Sequence, residues 1–506
     1  MAVFAAGADA AMASPAPAHT APSAMAPPTH VETAAPTHVE TAAPTHVATA
    51  APAPAPSAAS PSAPPPISSQ ATTPGAAAPP GTLPQRLRSL VGLVLLTLLA
   101  WALSTNRRVV SWRIVLWGLG LQLAFAFLVL RTPVGAAFFQ GVSHAVDAVL
   151  HYAEEGAGFV FGDLIHNNVP VGPGEAGTNA PLEAQSEMVA RTGAFFAFNV
   201  LPTIIFVSSL MTVLYHLGVM QWVVRGAAWV MRRTMGTTGA ETLSAAANIF
   251  VGQLEAPLVV KPYVQRMTVS ELNAVMAAGM ATISGSTLAA YVGMLSGRFP
   301  DIAGHLIAAS VMSAPAALVA AKLMVPETGE PETRDGVSIA LESPDVNVID
   351  AAARGAAEGL RLCLNIAAMI IAFLALVYMA DGLVSWVGGL VGVEGLTLSG
   401  LVGMALRPVT WIVGVPWADA GEVGRLFGLK TVLNEFVAYL ELAGILEGGA
   451  AGGVGLQPRS ALLASYALAG FANFGSVAML IGALGEMAPD RRHDLARVGL
   501  RAMVAG

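Results

Sequence analysis

The stretch Asn248-Ile-Phe-Val-Gly-Gln-Leu-Glu-Ala-Pro-Leu-Val-Val-Lys261 sets a glutamate, Glu255, inside a run that is otherwise apolar and small. A second carboxylate, Glu435, stands in a similar setting at Lys430-Thr-Val-Leu-Asn-Glu-Phe-Val-Ala-Tyr439. Placing one carboxylate at membrane depth costs ~2.5–3.5 kcal/mol on insertion scales. A chain that does this twice, at interrupted apolar segments, has something for those carboxylates to hold.

Composition explains why membrane depth is the relevant setting. The 506 residues are 55% hydrophobic and only 11% charged, whereas a soluble domain carries about 25% charged residues. Helices facing lipid cannot carry ordinary surface charge, so the deficit points to a polytopic membrane protein. The formal net charge of -7 offers no basic patch and argues against a nucleic-acid partner. A single cysteine, Cys363, rules out an internal disulfide framework and reads as a helix-packing residue.

Outward from the two glutamates, the chain divides by composition. Residues 1–85 are rich in Ala, Pro, Ser and Thr, with an eight-residue repeat beginning at Thr29-His-Val-Glu-Thr-Ala-Ala-Pro36. Such a segment buries too little apolar area to offset ordering entropy and reads as a disordered tail. No basic residue precedes an apolar core there, so it does not read as a secretory signal. His30, His38 and His46 offer at most weak chelation, and the repeat alone accounts for them. Apolar runs of spanning length follow at 90–103, 109–130, 194–217, 272–295, 302–325 and 360–379. Broken apolar segments lie near 384–415, 424–446 and 460–485.

Two stretches read as interfacial. Phe138, Val142, Val146 and Leu150 form an apolar stripe, with His144, Asp147, His151 and Glu154 on the polar side. The triad His144, Asp147 and His151 has helical spacing that suits a metal, but a solvated face already explains it. Trp222–Met235, with Arg225, Arg232 and Arg233, reads as a second surface helix. Residues 327–350 are polar and read as a loop between two membrane halves, covering 87–326 and 351–506.

The segment 242–263 is too short and too polar for one spanning helix, and Gly252 and Pro257 break it. A re-entrant hairpin fits, with its tip at Val251-Gly-Gln-Leu-Glu-Ala-Pro257. Non-helical backbone at that depth is tolerated only where it lines protein or a water-filled cavity. Gln253 offers a donor and an acceptor, and Glu255 an acceptor pair, a combination that suits a base edge or a polar small molecule. A second break follows at Gly279-Met-Ala-Thr-Ile-Ser-Gly-Ser-Thr-Leu288. Close helix packing explains its small residues equally well; the hydroxyls of Thr282 and Thr287 read as functional.

The second half repeats the design. Gly428-Leu-Lys-Thr-Val-Leu-Asn-Glu-Phe436 carries Asn434 and Glu435, and Ala469-Gly-Phe-Ala-Asn-Phe-Gly-Ser-Val477 breaks another apolar helix at Asn473 and Ser476. A carboxylate-bearing hairpin followed by a broken helix, once per half, is the pattern of internally repeated secondary transporters. The fold class expected is an all-α polytopic membrane protein, an inverted-repeat transporter with two re-entrant hairpins and broken helices. The bland alternative for Glu435 is a structural acid, neutralised or paired with Lys430. Glu441, nearer the polar loop at 447–458, reads as peripheral.

At these residues the chain resembles the concentrative nucleoside transporter family. The strings that carry the resemblance are Gly252-Gln-Leu-Glu-Ala-Pro257, Lys261-Pro-Tyr263, Met267-Thr-Val-Ser-Glu-Leu272 and Gly279-Met-Ala-Thr-Ile-Ser-Gly-Ser286. Lys430-Thr-Val-Leu-Asn-Glu-Phe436, Gly470-Phe-Ala-Asn-Phe-Gly-Ser476 and Phe159-Val-Phe-Gly162 complete them, within residues 87–506. The resemblance implies a homotrimer in the cell's inner or plasma membrane, each copy moving nucleoside with a co-transported cation and needing no cofactor. It places Gln253, Glu255 and Thr287 against the nucleobase, and Glu435, Asn473 and Ser476 on the ribose hydroxyls with Phe471 nearby. A sodium site falls at Asn248, Thr282 and the carbonyls of Val251 and Ile283, oxygens of the kind a hard cation takes.

Two departures qualify it. Leu254 stands where the family commonly has a hydroxyl residue, which leaves purine against pyrimidine preference open. The chain ends at Gly506, where the resemblance implies that the last membrane helix runs on. Proton coupling through Glu255 or Glu435, and a nucleoside-binding gate without transport, stand as the other readings. No HExxH or GxSxG motif supports an enzyme.

Overall fold

The computed structural model describes residues 83–166, 168–170, 189–191, 196–299, 301–334, 345–393, 395–450 and 455–506. The repeat-bearing tail to residue 82, with its histidines, and the middle of the 327–350 loop lie outside them. The described chain is helical except for one short antiparallel ribbon, β1 (Asn168–Pro170) with β2 (Val189–Arg191), which the all-α expectation did not include.

Helix α1 (Leu83–Ala102) opens with Leu83 and Pro84, so the boundary drawn at 85 falls inside a helix. Proline is tolerated in a first turn because its missing N–H has no intrahelical role there. Helix α2 (Trp112–Arg131) stops at Thr132, whose extended backbone and side-chain oxygen cap α3 (Pro133–Phe161) by accepting from Gly135 N. On α3, Val146 and Leu150 pack inward while His144, Asp147 and His151 are exposed, His151 lying 4.0 Å from Glu155. Helix α4 (Leu201–His216) accepts a hydrogen bond at Leu201 O from the buried Cys363 thiol, at 2.9 Å. In α5 (Val219–Met235), Met220, Val224, Met231 and Met235 face inward and the three arginines face out.

The first core unit begins with α6 (Gly239–Ala247), whose small residues are all buried. After a non-helical tip, a 3-10 turn (Ala256–Val260) and α7 (Lys261–Val264) return the chain. Then come α8 (Val269–Ala281), α9 (Gly285–Leu295) and α10 (Ile302–Met324), with Thr282 to Ser284 forming the break between α8 and α9. The base of the hairpin is held by charge. Thr238 with Glu241 and Thr268 with Glu271 form capping boxes on α6 and α8. Glu271 Oε1 also accepts from Thr238 Oγ1 at 2.6 Å and Thr333 Oγ1 at 3.0 Å, locking the two boxes together. Lys322 Nζ, 5% exposed, lies 2.6 Å from Glu241 and 3.1 Å from Glu327. Removing one partner of such a buried network costs roughly 3–5 kcal/mol, so α6 is anchored before its tip does anything.

The second half opens with α11 (Val348–Leu390), 43 residues long rather than the expected run at 360–379. At 1.5 Å per residue it extends about 65 Å. Its outer side exposes Leu364, Ile371, Tyr378, Leu383 and Trp386, an apolar surface suited to lipid. Helix α12 (Leu398–Val413) bends by 116° into α13 (Trp417–Val432). The second hairpin is α13 with α14 (Glu435–Ala450); α15 (Pro458–Leu468) and α16 (Phe474–Met487) form the second broken helix, and α17 (Arg492–Ala505) follows. Glu441 is tied at the side, accepting from Arg425 Nη2 at 3.1 Å.

Among the described residues, five helical stretches are long and apolar enough to cross a membrane, which makes this a multi-pass membrane protein. The two halves interleave rather than stack. Leu272, Val275 and Met276 of α8 share a core with Leu480 of α16 and Leu495 and Val498 of α17. Leu288, Val292 and Leu295 of α9 share another with Leu426 and Leu429 of α13, Phe436 and Tyr439 of α14, and Leu468 of α15. Both parts of the first half's broken helix therefore pack into the second half, bringing the breaks together.

Candidate functional site

Four helix breaks meet. Gly470, at φ +152°, lies between α15 and α16. A Cβ there would sit 2.9 Å from Ala281 O and 3.0 Å from Met280 O. Only glycine fits, both for its backbone angle and because the two broken helices touch at this point. Gly279 has the same role towards the first tip. A Cβ on it would lie 3.2 Å from Gln253 Cβ and 3.7 Å from Asn248 Oδ1. The close-packing reading of Gly279 thus holds, and it serves the site.

The second tip is tight. Helix α13 ends at Val432 and α14 begins at Glu435, with Asn434 Oδ1 accepting from Val437 N at 2.9 Å. Glu435 is 5% exposed. Its Oε1 accepts from Tyr291 Oη at 3.0 Å and its Oε2 from Asn473 Nδ2 at 3.2 Å. Asn473 Oδ1 meanwhile caps α16 by accepting from Ser476 N at 2.8 Å, which fixes the amide's orientation. The carboxylate also sits at the N-terminus of α14, where the helix dipole favours negative charge. Lys430 donates to Ala467 O at 3.0 Å instead of to Glu435.

Tyr291 is the residue that sequence reasoning missed. It is fully buried on α9, stacked on Tyr439 with centroids 4.2 Å apart and edge-on to Phe436 at 5.3 Å. The available signal was a phenol in an apolar helix, since a buried tyrosine hydroxyl needs a partner.

The first tip is open. Residues 248–255 are not helical. The tip is tied down through its backbone: Gly285 N donates to Phe250 O and Ser310 Oγ to Ile249 O, both at 2.9 Å. Gln253 is 7% exposed and donates from Nε2 to Ser476 Oγ at 3.1 Å. Its Oε1 is buried with no hydrogen-bond partner. Leu254 is 37% exposed; Glu255 beside it is open on one side yet lies deep in the protein, its carboxylate accepting from the main-chain N–H groups of Leu254 and Glu255. A Cβ on Gly252 would collide with the Glu255 carboxylate, which folds back over it.

The cation candidates lie just before this tip. Asn248 is fully buried at the C-terminal end of α6; its Nδ2 donates to Ser244 O at 3.0 Å, leaving Oδ1 without a partner. Thr282, at the C-terminal end of α8, donates its hydroxyl proton to Ala278 O at 3.0 Å, so its lone pairs face away from that bond. Among the described residues no hydrogen bond ends on the carbonyls of Val251 or Ile283. Neutral oxygens at two helix C-termini suit a hard monovalent cation. Thr287 is bonded to Ser284 Oγ at 2.7 Å and to Ser284 O at 3.1 Å in the cap of α9. Phe471 is 9% exposed and packs in the α9–α15 core.

Comparison with known proteins gives these breaks a context. The chain matches the family models "Na+ dependent nucleoside transporter N-terminus" over residues 91–164 and "Na+ dependent nucleoside transporter C-terminus" over 305–506. Between them, 197–298 match "Nucleoside recognition". A Haemophilus influenzae protein described as an uncharacterized transporter is 42% identical over 426 residues, covering 83% of this chain and 94% of that protein. The chain belongs to the sodium-dependent nucleoside transporter family.

Sodium/nucleoside cotransporter 1 of Sus scrofa is 42% identical over 432 residues, 84% of this chain. The match spans only 62% of that relative's length. Among solved structures, CNTnw in an inward-facing substrate-bound state superposes with a TM-score of 0.73 at 42% identity, covering 83% of this chain and 94% of that one. The relatives and family models that it matches are described as transporters, not as enzymes.

Proposed function

We propose that this protein carries nucleosides across a membrane together with sodium. The observation that carries the reading is the contrast within one cluster of breaks. A buried carboxylate is held by donors from both halves, beside buried amide oxygens that have no protein partner. Unpaired buried acceptors cost roughly 1–3 kcal/mol each, a cost that a bound ligand removes.

Glu435, with Asn473 and Ser476, takes the ribose hydroxyls, because a carboxylate is a strong acceptor for a vicinal diol. Phe471 lies behind them. Gln253 and Glu255 take the base edge, with Thr287 shaping the pocket through the α9 cap. Sodium sits on Asn248 and Thr282 with the Val251 and Ile283 carbonyls. Each charge moved inward gains ~2.3 kcal/mol per 100 mV, enough to concentrate substrate roughly 50-fold. The two hairpins and broken helices move as a unit against α1–α5 and α11, and three copies associate in the cell's inner or plasma membrane.

Uptake of labelled uridine by the full chain in proteoliposomes, in sodium against choline, tests the reading. Sodium-dependent accumulation is expected. Equal accumulation in choline, driven instead by a pH gradient, would replace sodium with protons. Uridine binding without counterflow would make the protein a gate.

A further inference from the structure

Lys430 is 5% exposed and lies in the last turn of α13. Its Nζ donates to Ala467 O at 3.0 Å, in the last turn of α15, and stands 5.4 Å from the Phe427 ring centroid. The C-terminal ends of two half-helices therefore converge on one ammonium. Such ends carry a partial charge of about −0.5 each, and a buried Lys whose hydrogen bond goes to a main-chain carbonyl is placed to neutralise them.

The first half has the same construction without the lysine. Helices α6 and α8 correspond in order to α13 and α15, each pair being a hairpin arm and the first part of a broken helix. Their C-terminal ends meet at Asn248 and Thr282. There the buried oxygens Ser244 Oγ and Asn248 Oδ1 have no hydrogen-bond partner. In the second half, among the described residues from 417 onward, no buried side-chain oxygen is left in that condition. One half is short of a cation, and the other has one built in.

We propose that the Lys430 ammonium is a tethered cation, doing for the second hairpin what the carried sodium does for the first. Each nucleoside then travels with one sodium, and the second half needs none. An ammonium is a compact point charge with three donors, which makes it a closer substitute for an alkali cation than a guanidinium. The inference rests on the sodium reading of Asn248 and Thr282.

The test uses the full chain in proteoliposomes with equal sodium on both sides and an imposed membrane potential. For one charge per uridine, a tenfold uridine gradient is balanced by ~59 mV; two charges would need half that and would overturn the proposal. The second arm is Lys430→Ala, compared by uridine binding in solution. Its uridine affinity is expected to fall at least tenfold and to recover with methylammonium or ethylammonium, but not with choline at equal ionic strength. A monodisperse Lys430→Ala protein that binds uridine as tightly as the parent, or weakly and regardless of alkylammonium, contradicts the tethered-cation role. If that variant does not fold, a count of two charges on the parent protein still overturns the proposal, and Lys430→Met carries the same alkylammonium comparison. Replacing sodium by choline on the parent protein reads the sodium assignment by itself, so the two failures are separable.

Discussion

The two hairpin tips carry the same residue in opposite states. At the second, the chain breaks for only Leu433 and Asn434, and Glu435 is buried with donors on both oxygens. At the first, residues 248–255 leave the helix, Leu254 is exposed and Glu255 is open on one side. The tight tip fixes its acceptor before any ligand arrives, so little ordering entropy remains to be lost on binding. The open tip holds its acceptor only through its own main chain, which can move with the tip. A fixed acceptor fits the part of a nucleoside that is constant, its sugar, and an adjustable one fits the part that varies, its base.

The largest effect is expected at the fixed end. Glu435→Gln removes charge-assisted bonds worth ~1.5–3 kcal/mol and should weaken uridine binding roughly 100-fold, measured by calorimetry on the purified protein. Unchanged affinity would remove the ribose assignment. Tyr291→Phe keeps the stack on Tyr439 but deletes one donor to Glu435. At ~1 kcal/mol for a single bond, the half-saturating uridine concentration in uptake assays should rise about fivefold to tenfold. Glu255→Gln should cost less, roughly threefold to fivefold, since its carboxylate is held by main-chain N–H groups of its own tip rather than by side-chain donors from both halves. If its loss of affinity equals that of Glu435→Gln, the contrast between the tips is wrong. Smallest is Leu254→Ser, which adds a hydroxyl at the open tip; the ratio of adenosine to uridine uptake should change by about twofold to threefold. A change in both substrates by the same factor would mean that Leu254 does not face the base.

Much of the fold was legible because its punctuation is local. Pro133, Gly162 and Gly236 mark helix ends, and the strings around Gly252, Gly285, Glu435 and Gly470 marked the breaks. The length of α11 was less legible. Its first residues, Val348-Ile-Asp-Ala-Ala-Ala-Arg, are too polar for a lipid-facing run yet are good helix formers capped by Asn347. The β1–β2 ribbon had no signal, since three-residue strands show no periodicity. Within the site, the residue types were readable and their states were not. Asn434 was visible only as a polar residue at the tip, and it serves as the cap of α14. The Thr287 hydroxyl was readable, and its engagement with Ser284 in the α9 cap was not.

The sequence by itself determined that two acids would lie at membrane depth, each at a backbone break, because hydrophobic run length and helix-breaking residues act over a few neighbours. Only the tertiary structure decided which acid takes side-chain donors from both halves and which is held by the main chain of its own tip. Tyr291 and Glu435 are 144 positions apart, and Gln253 and Ser476 are 223 apart. Those pairings depend on α9 packing into the second half and α16 into the first. No local pattern encodes which half a helix will enter, because apolar side chains pack without direction. The fit of Gly470 against the end of α8, where no other side chain has room, admits the crossing that makes the two tips one site.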